Sequence, residues 1–396
     1  MKVAPIHRQH LQNILTISHF YEAHGGGIER VAGHLCRQFA RLGVTPHWAA
    51  SANDALPGDD VKTIALRCVD PLEKLTGLPM PLPGPGAVFT LKNAVRSSDI
   101  VVIHDALYIT SILGLITAKL YGKPVMLIQH IAAIPFKSHL LRLLMRLANL
   151  LITRPMLWAA DARIFISDTV RHDLLGTPAR HPYNLLFNGV DNAIFYPAPP
   201  SQGRQNLPTT YNLPHSSRRI LFVGRYVEKK GLSILRALAA IRPDCQFLMA
   251  GSGPLQPAEW GLNNVFDLGV LAPTALAELY RSVDFLLLPA VGEGYPLVIQ
   301  EAMACGLSVI CGAPAHRADP KAVKWIYGVN IDLNDPQRSA QLCSAALDNC
   351  GLTSHEREAM ICYVRENYNW QGMAQEILSL AQHVKERKTN CEAGRK

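Results

Sequence analysis

No C-x-x-C pair occurs among the nine cysteines of this 396-residue chain, which lie scattered and odd in number at Cys36, Cys68, Cys245, Cys305, Cys311, Cys343, Cys350, Cys362 and Cys391. That pattern fits neither a disulfide framework nor a zinc site, and a reducing cytoplasm is the simplest compartment for it. A G-x-G-x-x-G fingerprint is also missing, which counts against nicotinamide cofactors. The basic N-terminus, MKVAPIHRQHLQ, leads only into a short apolar segment at 14–17, too brief for a signal-peptide core. Acidic residues are absent between Asp105 and Asp161. What is present is ordinary: 48% hydrophobic and 18% charged residues, with 28 Gly and 27 Pro in no period, exclude a disordered or fibrous chain. The length fits two domains, each with its own core.

The net charge of +8 is unevenly spread, with +6 in the first 200 residues and again +6 within 119–180 alone. Inside that window lies HLLRLLMRLANLLITRPMLW (139–158), whose polar members His139, Arg142, Arg146, Asn149 and Thr153 recur at spacings of 3, 4, 3 and 4. On a helix they form one stripe among leucines. A membrane span is disfavoured, because Arg142 and Arg146 near its middle would each cost about 2.5 to 3.5 kcal/mol. Two readings stay open. The stretch can lie on an anionic membrane surface, where Arg142, Arg146 and Arg154 each contribute about 1 kcal/mol, or it can be a buried amphipathic helix with its arginines in solvent. Nucleic acid is not an expected partner, since the basic window has no interleaved aromatics.

Short β-branched runs alternate with helix-length segments: strands are expected at 14–18, 100–104, 125–129 and 163–166, and helices at 28–42 and 109–121. The Pro-rich stretch 197–217 reads as a linker. Beyond it the alternation restarts, with strands at 220–223, 247–250, 265–268, 285–288 and 308–311 and helices starting near Leu232, Thr274 and Pro296. Two such units imply an α/β protein of two Rossmann-like, doubly wound parallel-sheet domains facing an inter-domain cleft that holds the ligand. The expected division is 1–190, a hinge or linker at 191–217, a second domain at 218–369, and a C-terminal helix with a basic tail at 370–396 that packs back on the first domain, the tail itself being disordered. Residues 44–98 give little signal beyond a Pro-rich loop at 78–86.

Candidate chemistry sits at strand ends. Gly25, Gly26 and Gly27 follow the first strand and open a helix, where backbone N–H groups can approach a phosphate or simply form a tight turn. In the second half, Arg225 and Lys230 follow the 220–223 strand, a placement that neutralises a diphosphate, while Lys229 is expected in solvent. Gly251 and Gly253 permit close ligand approach. The strongest signal is EGYPLVIQE (293–301): Pro296 suits a first helical turn, leaving Glu293 in the entering loop and Glu301 eight residues further on. About 12 Å of helical rise would separate the two carboxylates, too far for the pair that flanks a single glycosidic bond in hydrolases. They are expected to hold two parts of one long ligand, Glu301 at a ribose, and Glu293 with the N–H groups of Tyr295, Leu297 and Val298 at the far end.

Taken together, GGIE at 26–29, FNGVDNAIFYP at 187–197, FVGRYVEKKGL at 222–232, MAGSGPL at 249–255 and EGYPLVIQEAMACGLSVI at 293–310 resemble the retaining glycosyltransferases of family 4, which have the GT-B fold. The resemblance implies a UDP- or GDP-sugar donor and a growing glycan as acceptor, and the cationic stripe from His139 to Arg154 suggests a lipid-linked acceptor, as in cell-surface polysaccharide assembly at the cytoplasmic face of an inner membrane. It implies that Arg225 and Lys230 hold the diphosphate, Glu293 the transferred sugar, Glu301 the ribose, and Gly26 and Gly27 the phosphate from the other lobe. It also implies retention at the anomeric carbon without a metal ion or other cofactor, and no D-x-D triplet is present to bind Mg²⁺. His130 matches the family's histidine near donor sugar and acceptor, where it could polarise a hydroxyl, and His104 is a second candidate for the acceptor side. GAPAHRADPKAVKW (312–325) departs from the family's usual Gly-Gly-x-x-Glu-like loop. A GT-B epimerase or phosphorylase and a catalytically idle partner subunit are the alternatives. The FNGVD string and the Arg/Lys placement favour transfer over the first, and the intact Arg225, Lys230, Glu293 and Glu301 speak against the second.

Overall fold

The computed structural model describes residues 11–58, 60–71, 80–132, 138–179, 181–199 and 218–393. Most of the expected linker, from residue 200 to 217, lies outside them. The first lobe's strands are β1 (Asn13–Ile17), β2 (Thr45–Ser51), β3 (Lys62–Leu66), the two-residue pair β4 (Cys68–Val69) and β5 (Leu82–Pro83), β6 (Ile100–His104), β7 (Val125–Gln129), β8 (Ala162–Phe165) and β9 (Asn184–Leu185). Seven of them form one sheet in the order β3-β2-β1-β6-β7-β8-β9, every pairing parallel. The second lobe's β10 (Arg218–Val223), β11 (Cys245–Ala250), β12 (Val265–Gly269), β13 (Phe285–Leu288), β14 (Ser308–Gly312) and β15 (Ile326–Val329) form a parallel sheet in the order β12-β11-β10-β13-β14-β15. Strand order reverses beside β1 and beside β10, so both lobes present a switch-point crevice at strand carboxyl ends.

The continuous apolar strands are buried on both faces because helices cover each side: Ile14, Leu15, Val101, Ile103, Leu127 and Ile128 have essentially no exposed surface, nor do Leu221, Leu248, Leu286 and Ile310 in the second lobe. Each such side chain contributes about 1.5 to 3 kcal/mol. The uninformative region 44–98 supplies β2 to β5 and the helix Pro85–Ser97. Trp48 anchors β2, its indole N–H donating to Ser18 Oγ at 2.8 Å.

The C-terminal helix spans Trp370–Ala393 and belongs to the first lobe's core, with Trp370, Met373, Ala374 and Ile377 packed among Ile14, Leu35 and Met126. The tail expected to be disordered therefore continues as helix to Ala393. Lys385 meets Asp99 at 3.4 Å and Lys388 meets Asp161 at 3.1 Å, which ties the basic segment down. The chain thus crosses between lobes twice, side by side: Val190 N donates to Tyr368 O at 3.0 Å, and Gly189 faces Trp370 so closely that a Cβ would lie 2.3 Å from the Trp370 nitrogen.

The leucine-rich stretch forms a helix at His139–Ala148, a π-helical turn at Asn149–Thr153 and a helix at Arg154–Ala159. Its orientation runs against the buried-helix reading over the first part of the stretch, while Met156 and Leu157 near its end pack into the first lobe's core. No residue of His139–Ala148 is buried, and Leu140, Leu143, Leu144, Leu147, Leu150, Leu151 and Trp158 are exposed, Leu151 at 69%. The polar stripe turns inward at its far end, where Asn149 Nδ2 donates to Ala132 O and buried Thr153 donates to Asn149 Oδ1 at 2.9 Å. Among the described residues no helix is long and apolar enough to cross a membrane.

Candidate active site

At the end of β10 the chain enters Gly224 and Arg225, whose side chain is exposed and forms no ion pair among the described residues. A single turn, Glu228–Lys230, follows, closed by Gly231 in the left-handed region at φ 80°. This turn lays two ammonium groups on one carboxylate: Lys230 Nζ is 3.0 Å from Glu293 Oε2, and Lys229 Nζ is 3.3 Å from Glu293 Oε1. Lys229, expected in solvent, is instead a second partner of Glu293. Burial pushes the Lys230 ammonium below its usual range while Glu293 resists that shift. Burial also pushes the Glu293 carboxyl up, but Lys230 and Lys229 outweigh it and hold the group below the ordinary range.

Gly251 and Gly253 serve close approach of the chain to itself. A Cβ on Gly251 would lie 1.9 Å from Gly224 O and one on Gly253 2.6 Å from Tyr226 O. Tyr226 N donates to Ser252 O at 2.7 Å, so the Arg225 loop is fixed to its neighbour. The helix after the EGYP loop is Leu297–Ala304, with Pro296 at its N-cap rather than in its first turn. Among the described residues no side chain caps it, which leaves the first N–H groups, those of Leu297 and Val298, open to a ligand. Tyr295 can offer a ligand only its backbone, because its buried ring turns toward the hinge: its hydroxyl is 2.9 Å from Tyr368 Oη, which donates to Asp319 Oδ2 at 2.7 Å. Glu301 Oε2 accepts from Tyr280 Oη at 3.2 Å. Burial pushes the Glu301 carboxyl up to about 7, against the pull of Arg30 from the first lobe's helix Gly27–Arg41.

On the first lobe, Gly26 is the N-cap of that helix and Gly27 opens on free space, again with no side-chain cap. Gly26 has no room for a side chain because the Glu29 carboxylate would lie 2.1 Å from its Cβ. Buried Glu29 pairs with His19 Nε2 at 2.8 Å, and His19 stacks flat on Tyr108 at 3.7 Å. Beside them, at the carboxyl ends of β6 and β7, His104 Nδ1 lies 3.1 Å from His130 Nε2. Asp105 holds this corner: at φ 62° it occupies the left-handed region, and its Oδ1 accepts from His130 N at 3.2 Å and from Gln129 Nε2. Burial raises the Asp105 carboxyl to about 7. His104 was expected to face the acceptor or membrane, but it is fully buried behind His130 and reaches neither. Arg142, Arg146 and Arg154 lie on the separate leucine-rich helices, Arg146 and Arg154 exposed.

The two lobes meet here. A Cβ on Gly294 would stand 2.1 Å from His130 O, so the residue after Glu293 must lack a side chain for His130 to approach. Asp168 N donates to Ala318 O at 2.7 Å and Thr169 Oγ1 to Pro314 O at 2.8 Å, which brings the divergent 312–325 segment against the first lobe as well. Sequence reasoning thus selected Glu293, Lys230 and His130, which the fold gathers at one lobe junction. It missed Lys229, Arg30, His19 and Asp105. Asp105 directly follows a strand ending in His104, which was the available signal; Arg30 and His19 carried none without knowledge of the facing lobe.

Residues 217–349 match the profile of Glycosyl transferases group 1 and residues 25–193 that of Glycosyltransferase Family 4, together about three quarters of the chain. The alpha-maltose-1-phosphate synthase of Mycolicibacterium smegmatis is 26% identical over 323 residues, 74% of this chain and 81% of that protein. Among solved structures, sucrose-phosphate synthase from Thermosynechococcus elongatus superposes with a TM-score of 0.72 at 20% identity, covering 94% of this chain and 99% of the other. Anabaena Alr3699/HepE in complex with UDP gives 0.70 at 16%, covering 93% and 99%. Both likenesses establish the two-lobed fold.

Proposed function

The chain belongs to the family 4 glycosyltransferases of the GT-B fold, and from that premise we propose that it transfers a sugar from a UDP- or GDP-sugar, with retention and without a metal ion, to a glycan or lipid-linked glycan at an anionic membrane surface. The observation that carries this reading is the pair of ammonium groups on Glu293, with Arg225 on the same loop as the lysines and the neighbouring Gly294 against the His130 backbone oxygen. Lys230 and Arg225 neutralise the diphosphate as charge builds on the leaving group, the largest electrostatic demand of the step. Glu293, kept ionised by its lysines, accepts hydrogen bonds from the hydroxyls of the transferred sugar. Glu301 takes the ribose, and the uncapped N-termini at Gly27 and Leu297 offer N–H groups to phosphate from either side. No protein nucleophile is assigned. The binding of UDP by the structurally similar Anabaena protein supports a nucleotide-sugar donor.

The membrane part of the reading rests on the exposed leucines flanked by Arg142, Arg146 and Arg154. Monomeric proteins rarely leave so large an apolar patch in water, and cations beside it suit anionic headgroups. Such an acceptor fits polysaccharide assembly at the cytoplasmic face of a membrane. The test is a melting screen with a panel of UDP- and GDP-sugars with and without EDTA, followed by transfer and anomeric analysis. Protection by none of them refutes the donor assignment, and protection that EDTA abolishes refutes transfer without a metal ion. For the membrane, Arg142→Glu with Arg146→Glu should reduce flotation with anionic liposomes at least about 30-fold, the equivalent of about 2 kcal/mol; equal binding removes that claim.

A further inference from the structure

Two imidazoles in contact constrain each other. His104 and His130 are both buried, and burial holds both well toward the neutral form, His130 down to about 3. Neutral rings sharing one N···N contact of 3.1 Å carry a single proton between those nitrogens, since two would clash and none would leave two lone pairs opposed. Only two arrangements satisfy this. Either His130 Nε2–H donates to His104 Nδ1, or His104 Nδ1–H donates to His130 Nε2.

The rest of His104 decides between them. Among the described residues its Nε2 is buried without a hydrogen-bond partner. In the first arrangement that nitrogen carries a proton and becomes a buried donor with nothing to donate to; in the second it is a bare acceptor. Buried unpaired N–H donors are rarer in proteins than unpaired acceptors. Asp105 does not change this, because its contacts to the corner are to His130 N and to Gln129 rather than to either ring.

We infer that His104 is a positioning residue: its Nδ1–H donates to His130 Nε2 and holds His130 as the Nδ1–H tautomer, so that His130 presents a hydrogen-bond donor to the sugar substrate. With Nε2 occupied by His104, Nδ1 is the one ring nitrogen His130 has left for a ligand. It then donates to a sugar or phosphate oxygen and takes no proton from a hydroxyl. This rests on the reading that His130 faces the reacting sugar, and a His130 held in this form polarises a hydroxyl only by donating to it, not as a general base.

The experiment is two-bond ¹⁵N–¹H correlation NMR of the full chain labelled at histidine, with the His130 signals assigned by their loss in His130→Gln. The expected result is His130 in the Nδ1–H form at pH 7.5 in the wild type, and a shift toward Nε2–H in His104→Phe. His104→Asn, which keeps a polar atom near the lost Nδ1, should restore part of the wild-type pattern. On the donor that protects the protein in the melting screen, His104→Phe should lower kcat about 10- to 100-fold with a smaller change in KM. A wild-type His130 in the Nε2–H form, or one whose tautomer is unmoved in His104→Phe, overturns the inference. If His130→Ala keeps full turnover while the tautomer result holds, the placement of His130 at the substrate fails and the coupling of the rings stands.

Discussion

Replacing Asp105 with Asn should stabilise the protein above neutral pH and leave it unchanged in acid. Asp105 is buried at φ 62°, and among the described residues its Oδ2 has no partner and no cation is bonded to it. Burial raises its carboxyl from 3.8 to about 7. The folded protein therefore holds this proton more tightly than the unfolded chain does. The stability that this group contributes is full below about pH 4 and is lost as pH rises through 7, at about 1.4 kcal/mol per pH unit and about 4 kcal/mol in all. Asn is neutral throughout, tolerates the left-handed backbone, and keeps an oxygen to accept from His130 N and Gln129. In thermal melts from pH 4.5 to 8, the Asn variant should match the wild type at the acid end and exceed it by on the order of 10 °C at pH 8 for a lobe of this size. A difference that stays constant with pH, or a variant that melts lower at pH 8, refutes the argument.

Lys230→Ala and Glu293→Gln should each lower kcat about 100- to 1000-fold with cooperative melting retained, measured as transfer from the matched donor; near-normal turnover in either removes its assigned role. Gly294→Ala places a methyl against His130 O, so it should depress kcat while far-UV circular dichroism stays unchanged; normal kinetics would mean that the lobes need not meet there. Because the Glu301 carboxyl lies near 7, donor affinity measured by calorimetry should weaken about tenfold as pH falls from 8 to 6, as charged hydrogen bonds become neutral ones. Glu301→Gln should bind weakly at both values, and a variant that keeps the wild-type pH dependence assigns it to another group.

The strands legible in the sequence are the ones buried on both faces, such as IVVIH and VMLIQ, whose unbroken apolar runs leave no other stable placement. Those that escaped are flanking or marginal: β2 reads TPHWAAS and owes its place to parallel pairing on both sides and to Trp48, while β3 and β15 are edges with half-exposed faces. Helical spacing in 139–158 gave the two faces of that segment but not which one meets water. The answer lay in Ala132 O, which draws Asn149 inward from a distant turn. At the site, motif spacing found the groups of the second lobe because they lie on consecutive strand ends. It could not find Arg30, whose charge is felt by Glu301 of the other lobe, nor that His104 contacts His130.

The placement of Trp370–Ala393 within the first lobe also sets an order of events on the ribosome. Leu185 ends the first sheet, yet the helix that covers Ile14 and Met126 is translated some 185 residues later. At about 5 to 20 residues per second that is a delay of roughly 10 to 40 s, during which a nearly finished half waits with a greasy flank uncovered. The nascent chain should accordingly depend on holdase chaperones until its final turns emerge, and the second half should reach protease resistance before the half that was made first.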